Sequence, residues 1–266
     1  MIFDRRRHPS QPPRIPRGTL VYAIGDIHGR VDLFDQLLAM IAADRADRTP
    51  ARTVIVLLGD LIDRGPDSRG VIERALAISP RDARLGARLV ALAGNHEEVL
   101  LRLLDGEVGL VDDWLRFGGA QCVASYGLDP VVLAALGARE LVATLRSAIG
   151  ERHREFLEGM GDTLKVGDYL FVHAGVRPGV DLSLQAQQDL RWIRQPFLDD
   201  PRDHGFVVVH GHTVTGAVDR RPNRIGIDTG AYASGMLTAL ALEGDSTWLL
   251  QTGSTLPNIA IGHESS

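Results

Sequence analysis

Three short motifs, each at the end of an apolar run, indicate how this chain folds. The first closes residues 19–29, TLVYAIGDIHG, in which six residues typical of a β-strand lead into Gly25-Asp26-Ile27-His28-Gly29. The second closes residues 53–65, TVIVLLGDLIDRG, and the third closes residues 88–97, RLVALAGNHE. Each copy therefore joins a predicted strand to a glycine-led turn that carries acidic, amide or imidazole side chains.

A helical pattern follows each motif, at residues 31–43, at residues 68–77 and directly after the third motif. Near-continuous apolar strands that alternate with helices are typical of a buried parallel sheet. The carboxyl ends of such strands share one edge of the sheet, where open α/β folds bind their ligands. We therefore expect the three motifs to meet in one site.

The rest of the chain divides into a helical part and a second set of strands. Residues 98–161 have a helical pattern, including residues 130–149 and 151–159, and predict an insertion beside the site. Strand patterns return at residues 169–172, 206–209, 224–227, 236–242 and 247–251. These patterns predict an α/β fold with two packed, mixed β-sheets flanked by helices. We expect one catalytic domain over residues 19–252, between a flexible leader (1–18) and a tail (253–266).

The composition is ordinary for a globular protein of 266 residues, with 44% apolar and 24% charged residues. A formal net charge of −5 gives no general attraction to nucleic acid or anionic lipid. The single cysteine, Cys122, excludes an internal disulfide and fits a reducing compartment. The sequence has neither a signal-peptide core nor a run of 18 apolar residues, so we expect a cytoplasmic protein without a membrane partner.

The polar side chains of the motifs are the kind that bind divalent metal ions. Asp26 and His28 alternate across one turn, and Asp60 follows the second strand as Asp26 follows the first. The remaining donors also come after strands: Asn95, His173 and His212. Carboxylates, amide oxygens and imidazoles without a thiolate suit Mn, Fe or Zn. Together they predict a two-metal site for cleaving a phosphate ester.

Three neighbouring residues are suited to the chemistry around such a site. His96 follows Asn95 directly, and because adjacent turn residues rarely bind the same ion, His96 fits better as a proton donor to the leaving group. Asp63 and Arg64 lie where they point back over the same cleft, and the forked guanidinium of Arg64 matches a phosphate group. The alternatives are a surface ion pair in a turn for Asp63 and Arg64, and a helix cap for Asn95.

The motifs, together with Gly211-His212-Thr213, resemble those of the phosphoprotein phosphatase (PPP) family of metallophosphoesterases, from about residue 20 to residue 244. The stretches Trp192-Ile193-Arg194 and Asp228-Thr229-Gly230-Ala231-Tyr232 are similar to bacterial members, among them the Rhizobiales-like phosphatases. This resemblance implies a calcineurin-like metallophosphoesterase fold and two divalent metal ions. Manganese is expected to support activity, with iron or zinc as alternatives.

The resemblance also implies a role for each candidate site residue. Metal ligands are implied at six positions, with Asp60 bridging the two ions: Asp26, His28, Asp60, Asn95, His173 and His212. Phosphate binding is implied at Arg64, Arg194 and Asn95. His96 becomes the proton donor and Asp63 orients it. Asp228 and His210 are placed behind the metal ligands. The alternatives are a turn-forming role for Asp228 and a structural role for His210.

The implied activity is hydrolysis of phosphoserine and phosphothreonine in a protein or peptide substrate, with phosphotyrosine as a further candidate, by direct attack of a hydroxide that bridges the metals. A symmetrical diadenosine tetraphosphate hydrolase of the same family is the nearest alternative. Those enzymes typically have Ala-Arg-Gly in place of Asp63-Arg64-Gly65 and Asn-His-Asp in place of Asn95-His96-Glu97, so both positions favour a protein phosphatase. Outside the enzymes, the alternative is a catalytically silent module that binds phosphorylated partners.

Overall fold

Two five-stranded sheets form the frame of the protein in a computed structural model that describes residues 12–78 and 85–253. In chain order the strands are β1 (Thr19–Ile24), β2 (Arg52–Leu57), β3 (Ala87–Ala91), β4 (Thr163–Val166), β5 (Tyr169–Val172), β6 (Val207–His210), β7 (Asp219–Arg220), β8 (Arg224–Gly226), β9 (Thr238–Glu243) and β10 (Ser246–Gln251). The α-helices are α1 (Val31–Ala46), α2 (Ser68–Ala77), α3 (Asn95–Leu104), α4 (Val111–Trp114), α5 (Ala120–Ser125), α6 (Pro130–Ala134), α7 (Ala138–Glu158), α8 (Gln187–Trp192) and α9 (Ala231–Ser234).

The first sheet has the strand order β10-β9-β1-β2-β3, and the second has the order β4-β5-β6-β8-β7. Strands β1, β2 and β3 are parallel, as the repeated strand–motif–helix pattern predicts. In the second sheet β5, β6 and β8 are parallel, and β4 and β7 pair antiparallel at the edges. Both sheets are therefore mixed, which confirms the predicted fold class. The sequence pattern did not indicate β4 or β7, nor the return of β9 and β10 to the first sheet beside β1.

The hydrophobic core has two layers because successive side chains of a strand point to opposite faces of its sheet. In β1, Tyr22 and Ile24 pack with the helices, whereas Val21 and Ala23 face the second sheet. All four side chains are fully buried. A strand that is covered on both faces reads as a continuous apolar run, which is why residues 19–24 show no polar alternation.

The predicted insertion is helical from α3 to α7, with local differences from the pattern. Residues 130–149 form two helices rather than one, since α6 ends at Ala134 and α7 begins at Ala138. Asp129 caps α6 by accepting the backbone N–H groups of Val131 and Val132. The predicted separation near residue 150 corresponds to Gly150, whose φ of 74° interrupts α7.

The described part of the predicted leader, residues 12–18, is packed against the body of the protein. Ile15 is only 2% exposed and lies between the two sheets, and its N–H donates to the Gly244 carbonyl at 2.8 Å. An apolar side chain of this part therefore belongs to the core, while the flexibility of the leader stays a prediction. Residues 1–11 of the leader and residues 254–266 of the tail lie outside the described residues. Among the helices described, none is both long and apolar enough to cross a membrane.

Candidate active site

The three motif turns meet beyond the carboxyl ends of β1, β2 and β3, where their backbones approach each other closely. A Cβ atom on Gly59 would lie 2.5 Å from the Gly94 backbone nitrogen, and one on Gly65 would lie 2.1 Å from the His28 carbonyl oxygen. These contacts exist only because glycine has no side chain. The motif glycines therefore allow the turns to bring their polar residues to one place.

Five non-glycine residues in the described chain have positive φ angles, and all belong to the predicted site: His28, Asp60, Asp63, Arg64 and His212. Their φ values lie between 45° and 70°, in the left-handed region that side chains with a Cβ rarely adopt. Such conformations persist only where the surrounding structure imposes them, and they cluster at functional sites. The turns are thus shaped for placing these side chains rather than for local stability.

Two trios of donor groups converge on Asp60. His28, Asp60 and His96 form one, and Asp60, His173 and His212 form the other, with the ligand atoms of each trio within 4.8 Å of one another. All five side chains are buried. Asp60 belongs to both trios, as expected for a carboxylate that bridges two ions.

Two predicted ligands stand beside the trios. The Asn95 side-chain oxygen lies 3.1 Å from His173 Nε2 and 2.9 Å from His212 Nδ1, so it reaches the second trio. Asp26 belongs to neither trio, and its carboxylate accepts the His212 backbone N–H at 3.0 Å. The structure thus brings all six predicted ligands into one buried cluster, and in the first trio His96 stands where the sequence predicts Asp26.

The imidazoles are oriented by backbone carbonyls behind them. His28 Nδ1 donates to the Ile62 carbonyl at 2.8 Å, and His173 Nδ1 donates to the Leu58 carbonyl at 2.9 Å. In both rings this leaves the Nε2 lone pair facing the cluster, the arrangement that fixes metal-binding histidines. Burial lowers the pKa of His28 and of His212 to about 3, and also lowers the pKa of His173. The three rings are therefore neutral, as metal ligands must be.

The carboxylates respond to the same surroundings in opposite ways. Burial disfavours the charged form of Asp60, but the adjacent His173, His96 and His28 outweigh it and hold its pKa below the ordinary value. For Asp26, burial and then the neighbouring Asp228 raise the pKa well above its ordinary value. Two carboxyl groups packed together in a buried site favour a cation between or beside them.

His96 is paired with a buried carboxylate on the side away from Asp60. Its Nδ1 lies 2.6 Å from Asp63 Oδ2, while its Nε2 lies 3.9 Å from Asp60 Oδ2. Burial opposes the charged ring, but Asp60 and Asp63 raise the pKa of His96 to about 8. The same Asp63 oxygen accepts the indole N–H of Trp114 at 3.0 Å. Asp63 therefore bonds the ring that the resemblance implies it orients, and it is itself held by an indole from the helical insertion.

A cavity of about 460 Å³ opens beside these groups. Two predicted phosphate-binding arginines, Arg64 and Arg194, contribute to its wall together with His96. Arg64 also donates to His28 Nε2 at 2.9 Å, and its guanidinium lies 4.9 Å from the centre of the Tyr232 ring. Both arginines thus border the space in front of the donor cluster, where a phosphate group would be bound.

The two residues predicted to lie behind the ligands differ in their positions. Asp228 is next to Asp26, accepts the Gly230 N–H at 2.9 Å, and leaves its Oδ2 buried without a hydrogen-bond partner. His210 faces the carbonyl of Gly211 and packs edge-on against Phe197, with ring centres 5.2 Å apart. Its position fits the structural alternative, since none of its described contacts is to a predicted ligand side chain.

Sequence reasoning missed two residues that hold the site together. Glu97 is fully buried, and its carboxylate accepts backbone N–H groups from the second motif and from the third. Its signal was the acidic residue three positions after Gly94, the spacing of a capping box. Trp114 gave no local signal, because its contact with Asp63 joins residues 51 positions apart.

The donor set fits divalent metal ions. It combines hard oxygen donors with imidazole nitrogens and contains no thiolate, which matches Mn, Fe, Zn or Co. His212 Nε2 and Asp228 Oδ2 are buried at this centre without hydrogen-bond partners, so the protein alone does not satisfy its polar atoms. The His and Asp residues are positioned to bind divalent ions.

Comparison with known proteins agrees with this chemistry. A profile of the calcineurin-like phosphoesterase family matches residues 19–234, and the chain belongs to that family of metal-dependent hydrolases. The symmetrical bis(5'-nucleosyl)-tetraphosphatase of Dechloromonas aromatica (strain RCB) is 28% identical over an alignment of 272 positions, which covers 84% of this chain and 92% of that protein.

Two protein phosphatases are also similar. Shewanella-like protein phosphatase 2 of Arabidopsis thaliana is 25% identical over 191 residues, which cover 61% of this chain and 48% of that protein. A solved structure of a cold-active protein tyrosine phosphatase superposes with a TM-score of 0.59 at 17% identity, covering 89% of this chain and 78% of that one. The second similarity concerns the fold.

Proposed function

We propose that this metallophosphoesterase is a phosphomonoester hydrolase that acts on phosphorylated side chains of proteins, as PPP-type phosphatases do. The observation that carries the proposal is the 2.6 Å contact between His96 Nδ1 and Asp63 Oδ2. The oxygen that leaves phosphoserine or phosphothreonine is a strongly basic alkoxide and needs a proton, whereas a nucleotide phosphate leaves as a stable anion. An imidazole that a buried carboxylate orients is suited to the harder case.

The groups of the site have separate roles in the proposed reaction. Two divalent ions held by this donor set, which we expect to be manganese, would activate water as the nucleophile. Arg64 and Arg194 bind the non-bridging phosphate oxygens and offset the charge that develops in the transition state. His96 donates its proton to the leaving oxygen on the side of the cavity. Nothing in this sequence of events requires a covalent phosphoenzyme.

The second candidate is a symmetrical diadenosine tetraphosphate hydrolase, and full-length similarity favours it more directly. The alignment with this chain covers 92% of the bacterial tetraphosphatase but only 48% of the Arabidopsis phosphatase. A second cavity, of about 430 Å³, shares Arg64 and Phe117 with the first. Trp192 lines one cavity and Tyr232 the other, so each offers an aromatic ring on which a base of a long dinucleotide could stack.

A substrate panel separates the two candidates. The protein is stripped with a chelator, and matched phosphoserine, phosphothreonine and phosphotyrosine peptides are compared with diadenosine tetraphosphate after Mn²⁺, Fe²⁺ or Zn²⁺ is added back. The proposal expects metal-dependent phosphate release from peptides at a higher kcat/KM than cleavage of the dinucleotide. Preferred cleavage of the dinucleotide to two ADP molecules would overturn it in favour of the second candidate. Metal binding without any turnover would leave a phospho-binding module.

A further inference from the structure

The helical insertion contacts the turn of the second motif at two consecutive residues, Asp63 and Arg64. Trp114, at the end of α4, donates its indole N–H to Asp63 Oδ2 at 3.0 Å. Gly118, four residues later, accepts the Arg64 backbone N–H at 3.0 Å. Residues Leu115–Gly119, which include Gly118, form a widened helical turn with a kink at Gly118, whose φ of 120° is not helical; we call this segment the π turn.

The π turn is shaped to make these contacts. Gly118 has a φ of 120°, and a Cβ atom there would lie 2.6 Å from the Arg64 backbone nitrogen. A Cβ atom on Gly119 would lie 2.4 Å from the Trp114 ring. The two glycines therefore give the turn its close approach to Arg64 and leave space for the indole. Trp114 is 3% exposed, so its N–H has exchanged water for the carboxylate.

The contacts fall on the most constrained part of the second motif. Asp63 and Arg64 are consecutive and have φ angles of 70° and 66°, an unfavourable conformation that neighbouring structure must impose. Asp63 Oδ2 receives both the His96 ring at 2.6 Å and the Trp114 indole at 3.0 Å. Two donors from separate elements thus fix one oxygen, and that oxygen sets the orientation of the proton donor.

We infer that Trp114 is a positioning residue for proton donation, acting through Asp63 on His96, and that the π turn is the part of the insertion that delivers it. The inference rests on the proposed phosphomonoesterase function. Without the indole, Asp63 Oδ2 loses one of its two side-chain donors, and His96 spends less time directed at the leaving oxygen. The phosphate-binding arginines and the metal ligands keep their places, so substrate affinity and metal content are retained.

The test is the dependence of turnover on the leaving group. Phenol, with a pKa of about 10, needs a proton as it leaves, whereas the far more acidic 2,4-dinitrophenol does not. Trp114→Phe keeps the ring and removes only the N–H. It is expected to lower kcat for phenyl phosphate about tenfold, which corresponds to about 1.4 kcal/mol, with less than about a twofold change for 2,4-dinitrophenyl phosphate. KM and metal content should stay at wild-type values.

Trp248→Phe is the matched control. Trp248 is also a buried tryptophan whose indole donates to a buried carboxylate, Asp44 at 3.1 Å, but it lies in the core between β10 and α1. It should lower stability without changing the ratio of the two rates. In an Asp63→Asn background, Trp114→Phe should have almost no further effect on phenyl phosphate, because the indole acts through that carboxylate.

Equal losses on both aryl phosphates would overturn the inference, and so would full additivity with Asp63→Asn. If Trp114→Phe does not fold, Gly119→Ala displaces the same indole by steric overlap and should give the same selective loss on phenyl phosphate. A wild-type protein that releases no phosphate from either compound would instead refute the proposed function, and this inference with it. Normal wild-type turnover with an unselective variant refutes the inference alone.

Discussion

The substitution Glu97→Gln tests how the second and third motifs are held together. The Glu97 carboxylate is fully buried and accepts N–H groups from both motifs. Oε2 accepts from Asp60 at 2.9 Å and from Gly94 at 2.8 Å. Oε1 accepts from Leu61 at 2.7 Å and more weakly from Ile62 at 3.4 Å. Because consecutive backbone N–H groups from Asp60 to Ile62 donate to Glu97, the glutamate fixes the backbone that carries the Asp60 side chain.

The magnitude follows from the geometry of the amide. Glutamine keeps one accepting oxygen and replaces the other with an NH₂ group, which only donates. The less costly placement turns the NH₂ group toward Leu61 and Ile62, leaving one strong N–H and one weak N–H without an acceptor. A buried donor left without an acceptor costs about 1–3 kcal/mol, and here one strong and one weak N–H lose theirs, so we expect a loss of about 2–4 kcal/mol. For a chain of this size, the melting temperature should fall by roughly 5–15 °C.

Urea denaturation in the presence of a chelator measures this change without a contribution from metal binding. Glu98→Gln is the control, since the described contacts of that carboxylate are all to side chains: Arg191 at 3.5 Å, Trp192 at 3.2 Å and Arg102 at 3.8 Å. The control should lose less than about 1 kcal/mol. A loss below about 1 kcal/mol for Glu97→Gln, with unchanged cooperativity, would refute the idea that its carboxylate ties the motifs together.

Two further substitutions separate chemistry from stability. His96→Ala should lower turnover by about 10²–10⁴-fold because it removes the proton donor, while atomic absorption finds the wild-type metal content; parallel loss of metal would place His96 among the ligands. Asp44→Ala removes the acceptor of Tyr22 Oη at 2.6 Å and of Trp248 Nε1 at 3.1 Å, both buried. It should cost about 3–5 kcal/mol in thermal or urea unfolding, with the folded protein keeping its kcat, and a neutral result would show that the two donors find other partners.

Local patterns predicted the strands and helices that have strong periodicity. The bounds of β1, β5 and α2 agree with the expected residues 19–24, 169–172 and 68–77. The edge strands β4 and β7 were missed because neither is a continuous apolar run: β4 (TLKV) is mostly half-buried, whereas the equally short β5 (YLFV) is apolar and buried throughout, and β7 consists of two charged residues. The return of β9 to pair with β1 was not predictable from periodicity, since pairing partners depend on how both sheets pack.

The candidate site was predictable to the extent that its residues carry their chemistry in local motifs. Asp60, His173 and His212 were identified by residue type and by their places after strands, and the structure brings them within 4.8 Å. Trp114 was not identified, because the sequence does not distinguish its indole from an ordinary core residue. Its role depends on the contact with Asp63, which is 51 positions away. His210, which the sequence could not distinguish from a supporting residue of the site, packs on Phe197 instead.

Residue types and their places along the chain are enough to predict the class of chemistry, because carboxylates, imidazoles and arginines placed after apolar strands define a metal and phosphate site wherever those strands lie side by side. Which side chain orients which depends on the folded packing. The carbonyls of Leu58 and Ile62 turn the imidazoles, Glu97 joins two motifs, and Trp114 reaches Asp63 from the insertion. These contacts join residues far apart in the chain, and their geometry depends on the packing of the whole fold.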